Sequence, residues 1–242
     1  MPIYNEIEVL QVRIPKTAST SVNNVLAEAN GGSNGIHASG LNKIHNNAYQ
    51  LRQFLGEDKF DSYFKLSFTR NPFDWFVSHS MYFKEGQYTR WMGISLEEWI
   101  FGLERVLDSR DGDYSNYNPF YYAPSKSTVS CGHGRCQALA GRKECMCIRI
   151  SQSGYLTIDD RIAMDFVGKL ENIEEDWATV AEKIGKGLPL ELPHHNKKEH
   201  SRGSYLPMFK DDRVVEIVYR LFKKDCDSYG YDISDYPGFK FL

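Results

Sequence analysis

Two kinds of apolar pattern alternate along this chain. Val9, Leu10, Val12 and Ile14 crowd into one short run. Residues 63–69 (Tyr-Phe-Lys-Leu-Ser-Phe-Thr) make another, aromatic-rich and bounded by polar positions. Runs of that length read as buried strands. Elsewhere the apolar residues recur at helical spacing. Val22, Val25, Leu26 and Ala29 share one face of a helix predicted over 20–29, and Gly31 to Gly35 follows as a connection. A short helix is predicted over 46–55 and a longer one over 72–83. Asn71 supplies the latter with a cap, Pro72 its first position and Asp74 a first-turn acid. Ser95 with Glu98 forms a capping box for a helix to about Leu107 that buries Leu96, Trp99, Ile100 and Leu103. Residues 108–130 are polar, tyrosine-rich and loop-like. A further strand falls within 162–170. Asn172 with Glu175 is expected to cap a helix to Ile184, which Gly185 and Gly187 end. A last long helix begins at Asp211, turns Val214, Ile217, Val218 and Leu221 inward, and closes at Gly230. Strands alternating with helices predict the α/β class: a single domain over 1–242, with a mostly parallel central sheet flanked by helices on both faces.

Composition narrows the class further. A chain of 242 residues, 41% hydrophobic and 14% aromatic, has material for one sizeable core. No repeat or low-complexity tract occurs. No run of eighteen apolar residues is present, which excludes a transmembrane helix, and Met1 to Glu6 lacks the basic start and apolar stretch of a signal peptide. These features predict a cytoplasmic enzyme with no membrane partner. A Golgi-lumen or secretory location is the alternative for a trimmed chain. The net charge of −3 argues against general nucleic-acid binding.

The chemistry concentrates where the first strand run ends. Arg13-Ile14-Pro15-Lys16-Thr17-Ala18-Ser19-Thr20 joins that strand to a helix start. Main-chain N–H groups at a helix start point outward, and the helix dipole favours negative charge there. Lys16 adds a mobile charge, and Thr17, Ser19 and Thr20 add hydroxyl donors. The segment holds no glycine, so it is not the G-x-x-x-x-G-K-[ST] loop of nucleotide triphosphatases. A second anion-binding set follows the second strand. Arg70 stands at its end, and Ser78 falls eight positions on, in the next helix. A guanidinium gives bidentate bonds to a phosphate, and a serine hydroxyl adds a donor. Ligands of parallel sheets bind beyond the carboxyl ends of the strands, where Lys16 and Arg70 both lie.

The stretch Pro15-Lys16-Thr17-Ala18-Ser19-Thr20, followed by Arg70 to Ser78, resembles the two phosphate-binding signatures of sulfotransferases that use PAPS (3′-phosphoadenosine 5′-phosphosulfate). The likeness is greatest to the carbohydrate branch, the heparan sulfate and uronyl 2-O-sulfotransferases and their bacterial relatives. It extends through Asp165 to Trp177, Leu192 to His200 and Asp227 to Tyr231, and is poor over 86–160, where acceptor specificity is expected. The resemblance implies a P-loop-like sulfotransferase fold and in-line transfer from PAPS, leaving PAP (3′,5′-adenosine bisphosphate). The acceptor would be a hydroxylated molecule, a saccharide or small molecule. Its cofactor contacts would be Arg13, Lys16, Thr17, Ala18, Ser19, Thr20, Arg70 and Ser78, with Lys197, Lys198 and Arg202 from a basic loop. Lys16 would also be catalytic, stabilising the leaving phosphate, and no metal is required.

For the base the resemblance points to His45, 25 residues before Arg70, with His37 second and a carboxylate such as Glu85 third. Histidine suits the task because its ordinary pKa is near neutrality. Two further features leave alternatives open. Cys131, Cys136, Cys145 and Cys147 cluster around His133, and disulfides, a structural zinc or reduced thiols all fit; Cys226 stands alone and reads as core. Tyr114, Tyr117, Tyr121 and Tyr122 would stack on a sugar or pack internally. The rival functions are phosphoryl transfer, and a PAP-binding or zinc-stabilised interaction module without turnover. Oligomeric state is not legible.

Overall fold

The two strand-like runs lie side by side. The computed structural model describes residues 3–32, 45–78, 151–193 and 211–232. Strands β1 (Ile3–Tyr4), β2 (Val9–Gln11), β3 (Phe64–Thr69) and β6 (Phe166–Lys169) form one sheet in the order β1-β2-β3-β6. β1 runs antiparallel to β2, and the other three strands are parallel. The chain separates into two compact units, Met1–Asn71 with Tyr155–His200, and Pro72–Gly154 with Ser201–Leu242.

The first unit contains the sheet. Val9 pairs with Phe64, and Leu66 with Phe166, so alternate residues of three strands share a face. That face packs on helices α1 (Ser19–Ala29) and α6 (Ile173–Ile184), through Val22, Val25 and Leu26 of one and Trp177, Val180 and Ala181 of the other. Burial of each valine or leucine among them contributes roughly 1.5–3 kcal/mol. Leu10 and Lys65 on the opposite face are buried too; the Lys65 ammonium is paired with Asp165 at 2.9 Å and donates to the Tyr63 oxygen. Gly168 is glycine for lack of room: a Cβ there would stand 2.5 Å from the Phe68 ring.

Helix ends follow local chemistry. α2 (Ala48–Leu55) starts from a capping box in which Asn47 accepts from Gln50 N–H and Gln50 accepts from Asn47 N–H. Gly56, at φ 80°, then allows a second short helix, α3 (Glu57–Ser62). α3 was not expected, because six residues are too few to show a period. A hairpin, β4 (Thr157–Ile158) with β5 (Arg161–Ile162), was also missed; Asp159 and Asp160 both take positive φ to make its turn. The cap expected from Asn172 is corrected. Asn172 precedes α6 but makes no side-chain cap bond, because a 3-10 turn (Leu170–Asn172) leads straight into the helix. Instead Glu174, Glu175 and Asp176 crowd the first turn, and Asp176 accepts from Lys169 N–H at 2.6 Å.

In the second unit, helix α4 (72–78) begins at Pro72 as expected. Its Trp75 and Phe76 rings pack on Phe222 of α7 (Asp212–Tyr229), at 5.6 and 5.8 Å between centroids. α7 has the predicted apolar face. Asp211 caps it by accepting from Arg213 N–H, and Gly230 closes it in the left-handed region. Cys226 is buried there, as expected, and burial pushes its thiol up to about 12.

Asp225 of α7 is fully buried. It accepts from Gln152 N–H and Ser153 N–H, both at 2.8 Å, and so caps α5 (Gln152–Leu156). Burial pushes its carboxyl up to about 6, against the Ser153 and Gln152 bonds that favour ionisation. A carboxyl that holds its proton more tightly when folded stabilises the fold fully below its ordinary pKa. That stability is then lost as pH rises toward the folded value. We expect the unfolding free energy of wild type minus that of Asp225→Asn to fall by roughly 3 kcal/mol between about pH 4 and pH 6, then level off. Urea denaturation at stepped pH measures this; a difference that stays flat contradicts it.

No described helix is long and apolar enough to cross a membrane. The expected helix from Ser95 to about Leu107, residues 79–83 and the tyrosine-rich 108–130 lie outside the described residues.

Candidate functional site

The parallel pairing of β2 and β3 brings their carboxyl ends to one edge of the sheet. Beyond β2 the chain stays against β3 for one more residue. Val12 N–H donates to the Leu66 oxygen at 2.9 Å, and Ser67 Oγ donates to the Val12 oxygen at 2.7 Å. Then it breaks away into the loop that carries Arg13 to Thr20. Arg70 leaves β3 at this same edge, one residue past Thr69.

The loop has a shape suited to an anion. Lys16 and Ala18 both have positive φ, 64° and 55°, and Ala18 is the N-cap of α1. Left-handed residues alternating with ordinary ones turn successive N–H groups toward one concavity. No side chain caps α1, and its first turn holds no acid. The other described helices of eight or more residues have a side-chain cap, first-turn acids or both. Main-chain donors are thus left presented at the start of α1.

Individual side chains divide the work. Lys16 is half-buried and Thr20 exposed, while Ser19 is mostly buried. Thr17 is buried, and its hydroxyl donates back to the Ile14 oxygen at 3.0 Å. That bond braces the turn. Arg13 is half-buried. Its Nη1 donates to Asn23 Oδ1 at 3.1 Å, and its Nε is buried without a hydrogen-bond partner among the described residues. Burial lowers the Arg13 pKa, partly opposed by nearby Tyr4. An orphaned buried donor beside an uncapped helix start fits a negatively charged ligand group.

His45 is half-buried and joins this cluster: its Nδ1 lies 2.8 Å from the Arg13 main-chain oxygen. Arg13, Lys16 to Thr20, His45 and Arg70 all belong to the first unit. Ser78 belongs to the second, half-buried on α4. His37, Glu85, Lys197, Lys198, Arg202 and the cluster Cys131, Cys136, Cys145 and Cys147 lie outside the described residues. Among the described residues no group of three or more His, Cys, Asp or Glu is placed to hold a metal.

Sequence reasoning missed the support beneath the loop. Tyr4 OH lies 3.0 Å from Asn23 Oδ1 and 3.2 Å from Gln11 Oε1, and Gln11 Nε2 donates to the Ser19 oxygen at 3.2 Å. Tyr4, Gln11 and Asn23 are all buried, and burial raises the Tyr4 pKa. The available signal was Asn23 itself, a polar residue beside Val22 in the core-facing part of a helix. Glu171 was missed too: its carboxylate accepts from Asn71 N–H at 2.7 Å and ties the exit of β3 to the exit of β6.

A family model described as Sulfotransferase family matches residues 3–232, nearly the whole chain. No curated protein and no solved structure gives a match.

Proposed function

This chain belongs to the sulfotransferase family, and on that footing we propose that it moves a sulfuryl group from PAPS to a hydroxyl of an acceptor. The carrying observation is the uncapped, acid-free start of α1 beyond β2, with Lys16 and Ala18 in left-handed conformation. PAPS, when bound, supplies the sulfuryl group and a 5′-phosphate leaving group. The N–H groups of Thr17, Ala18, Ser19 and Thr20 bind that phosphate, and Lys16 stabilises the charge that grows on it. Arg13 supports the same charge through its orphaned Nε. Arg70, at the neighbouring strand end, binds the 3′-phosphate by a bidentate contact. His45 is the base that takes the proton of the acceptor hydroxyl.

The acceptor is a hydroxylated molecule, with saccharides the first class to test. The whole scheme predicts that PAP release from PAPS rises when a mixed set of hydroxylated acceptors is added. ATP should compete less well than PAP for the site. Release indifferent to every acceptor would favour a binding module, and tighter binding of ATP would favour phosphoryl transfer.

A further inference from the structure

The residues that brace the anion loop also hold His45, and they do so through one carbonyl. His45 Nδ1 lies 2.8 Å from the Arg13 oxygen. A carbonyl oxygen accepts and never donates, so the proton in that bond is on Nδ1. In the neutral ring the lone pair is then on Nε2.

The position of that carbonyl is set from two directions. Upstream, Val12 is bonded to β3 through both its N–H and its oxygen. Through the side chain, Arg13 Nη1 is held by Asn23 Oδ1 at 3.1 Å. Arginine only donates, so the amide oxygen of Asn23, not its nitrogen, faces it. Tyr4 OH approaches the same oxygen at 3.0 Å from β1, and both Asn23 and Tyr4 are buried. Unlike exposed polar residues, this pair has no water to fall back on if displaced, so the arrangement is stiff.

We propose that Asn23 and Tyr4 are positioning residues of the transfer reaction: Asn23, steadied by the Tyr4 hydroxyl, holds Arg13 so that its carbonyl selects the Nδ1–H form of His45, leaving Nε2 to take the acceptor's proton. The proposal rests on His45 as the base, but its first readout needs no turnover. Because Arg13 also opens the anion loop, one buried network sets both the donor site and the tautomer of the base.

The experiment is long-range proton–nitrogen NMR of the full chain labelled in its histidine rings, with the His45 signals assigned by their loss in His45→Gln. In wild type at alkaline pH, Nδ1 should show the shift of a protonated ring nitrogen and Nε2 that of an unprotonated one. Asn23→Leu and Tyr4→Phe should move both signals toward the average of exchanging tautomers. Asn23→Asp, which keeps an acceptor for Arg13, should restore the wild-type pattern. In transfer assays Asn23→Leu should lower kcat about tenfold at saturating PAPS. Tyr4→Phe removes a single hydroxyl and keeps the test available if Asn23→Leu does not fold. A wild-type His45 protonated on Nε2 would overturn the proposal, as would a tautomer that neither variant disturbs. Absence of any sulfuryl transfer would count against His45 as base while leaving the tautomer result to stand by itself.

Discussion

Lys16→Ala should lower the rate of sulfuryl transfer by roughly 100- to 1,000-fold, the cost of removing one preorganised donor from a developing oxyanion. The substitution is a clean one. Lys16 has a φ of 64°, and alanine at that position carries the same Cβ in the same left-handed conformation. Backbone strain is therefore unchanged, and so is the bracing bond from the Thr17 hydroxyl to the Ile14 oxygen. What disappears is the half-buried ammonium charge that precedes the α1 start. Single-turnover rates at saturating PAPS separate loss of transition-state stabilisation from loss of binding. A kcat within a few-fold of wild type would remove Lys16 from the mechanism.

The second large effect is at His45. Replacing it with alanine should reduce kcat roughly 100- to 10,000-fold, the range for a positioned general base. PAP affinity should change little, since the imidazole touches the Arg13 carbonyl rather than the loop's outward N–H groups. The rate profile should lose its fall on the acid side, because no imidazole remains to be protonated. An acid limb that persists in His45→Ala would assign the base to another group. His37 and Glu85 are then the residues to substitute.

How much of this was legible in the sequence depended on length and on neighbours. β2 and β3 were readable because they lie in dense runs of apolar residues, and α7 because its helical period is sustained over 18 residues with Asp211 and Gly230 marking its ends. α3 and the β4–β5 hairpin were not, since elements of six and two residues show no period. Asn172 looked like a cap by composition, but the 3-10 turn ahead of it already continues the backbone into α6. At the site, Lys16 and Arg70 were legible as charges placed after strands. The inward turn of Thr17, the hold of Asn23, steadied by Tyr4, on Arg13, and the Glu171 bond to Asn71 were not. The Thr17 bond spans three positions and depends on a left-handed turn, while the last two join residues from 10 to 100 positions apart, which no local pattern encodes. The hydrogen bond between His45 and Arg13 spans 32 positions and is of the same kind.

Everything proposed for this enzyme requires that the strand ends carrying Lys16 and Arg70 grip one bisphosphorylated adenosine. Calorimetric titration of PAP into wild type, Lys16→Ala and Arg70→Ala asks this directly. The expected result is one saturable site in the wild type, weakened at least tenfold by either substitution. Wild-type protein that takes up no PAP, or variants that bind it as wild type does, would contradict the account.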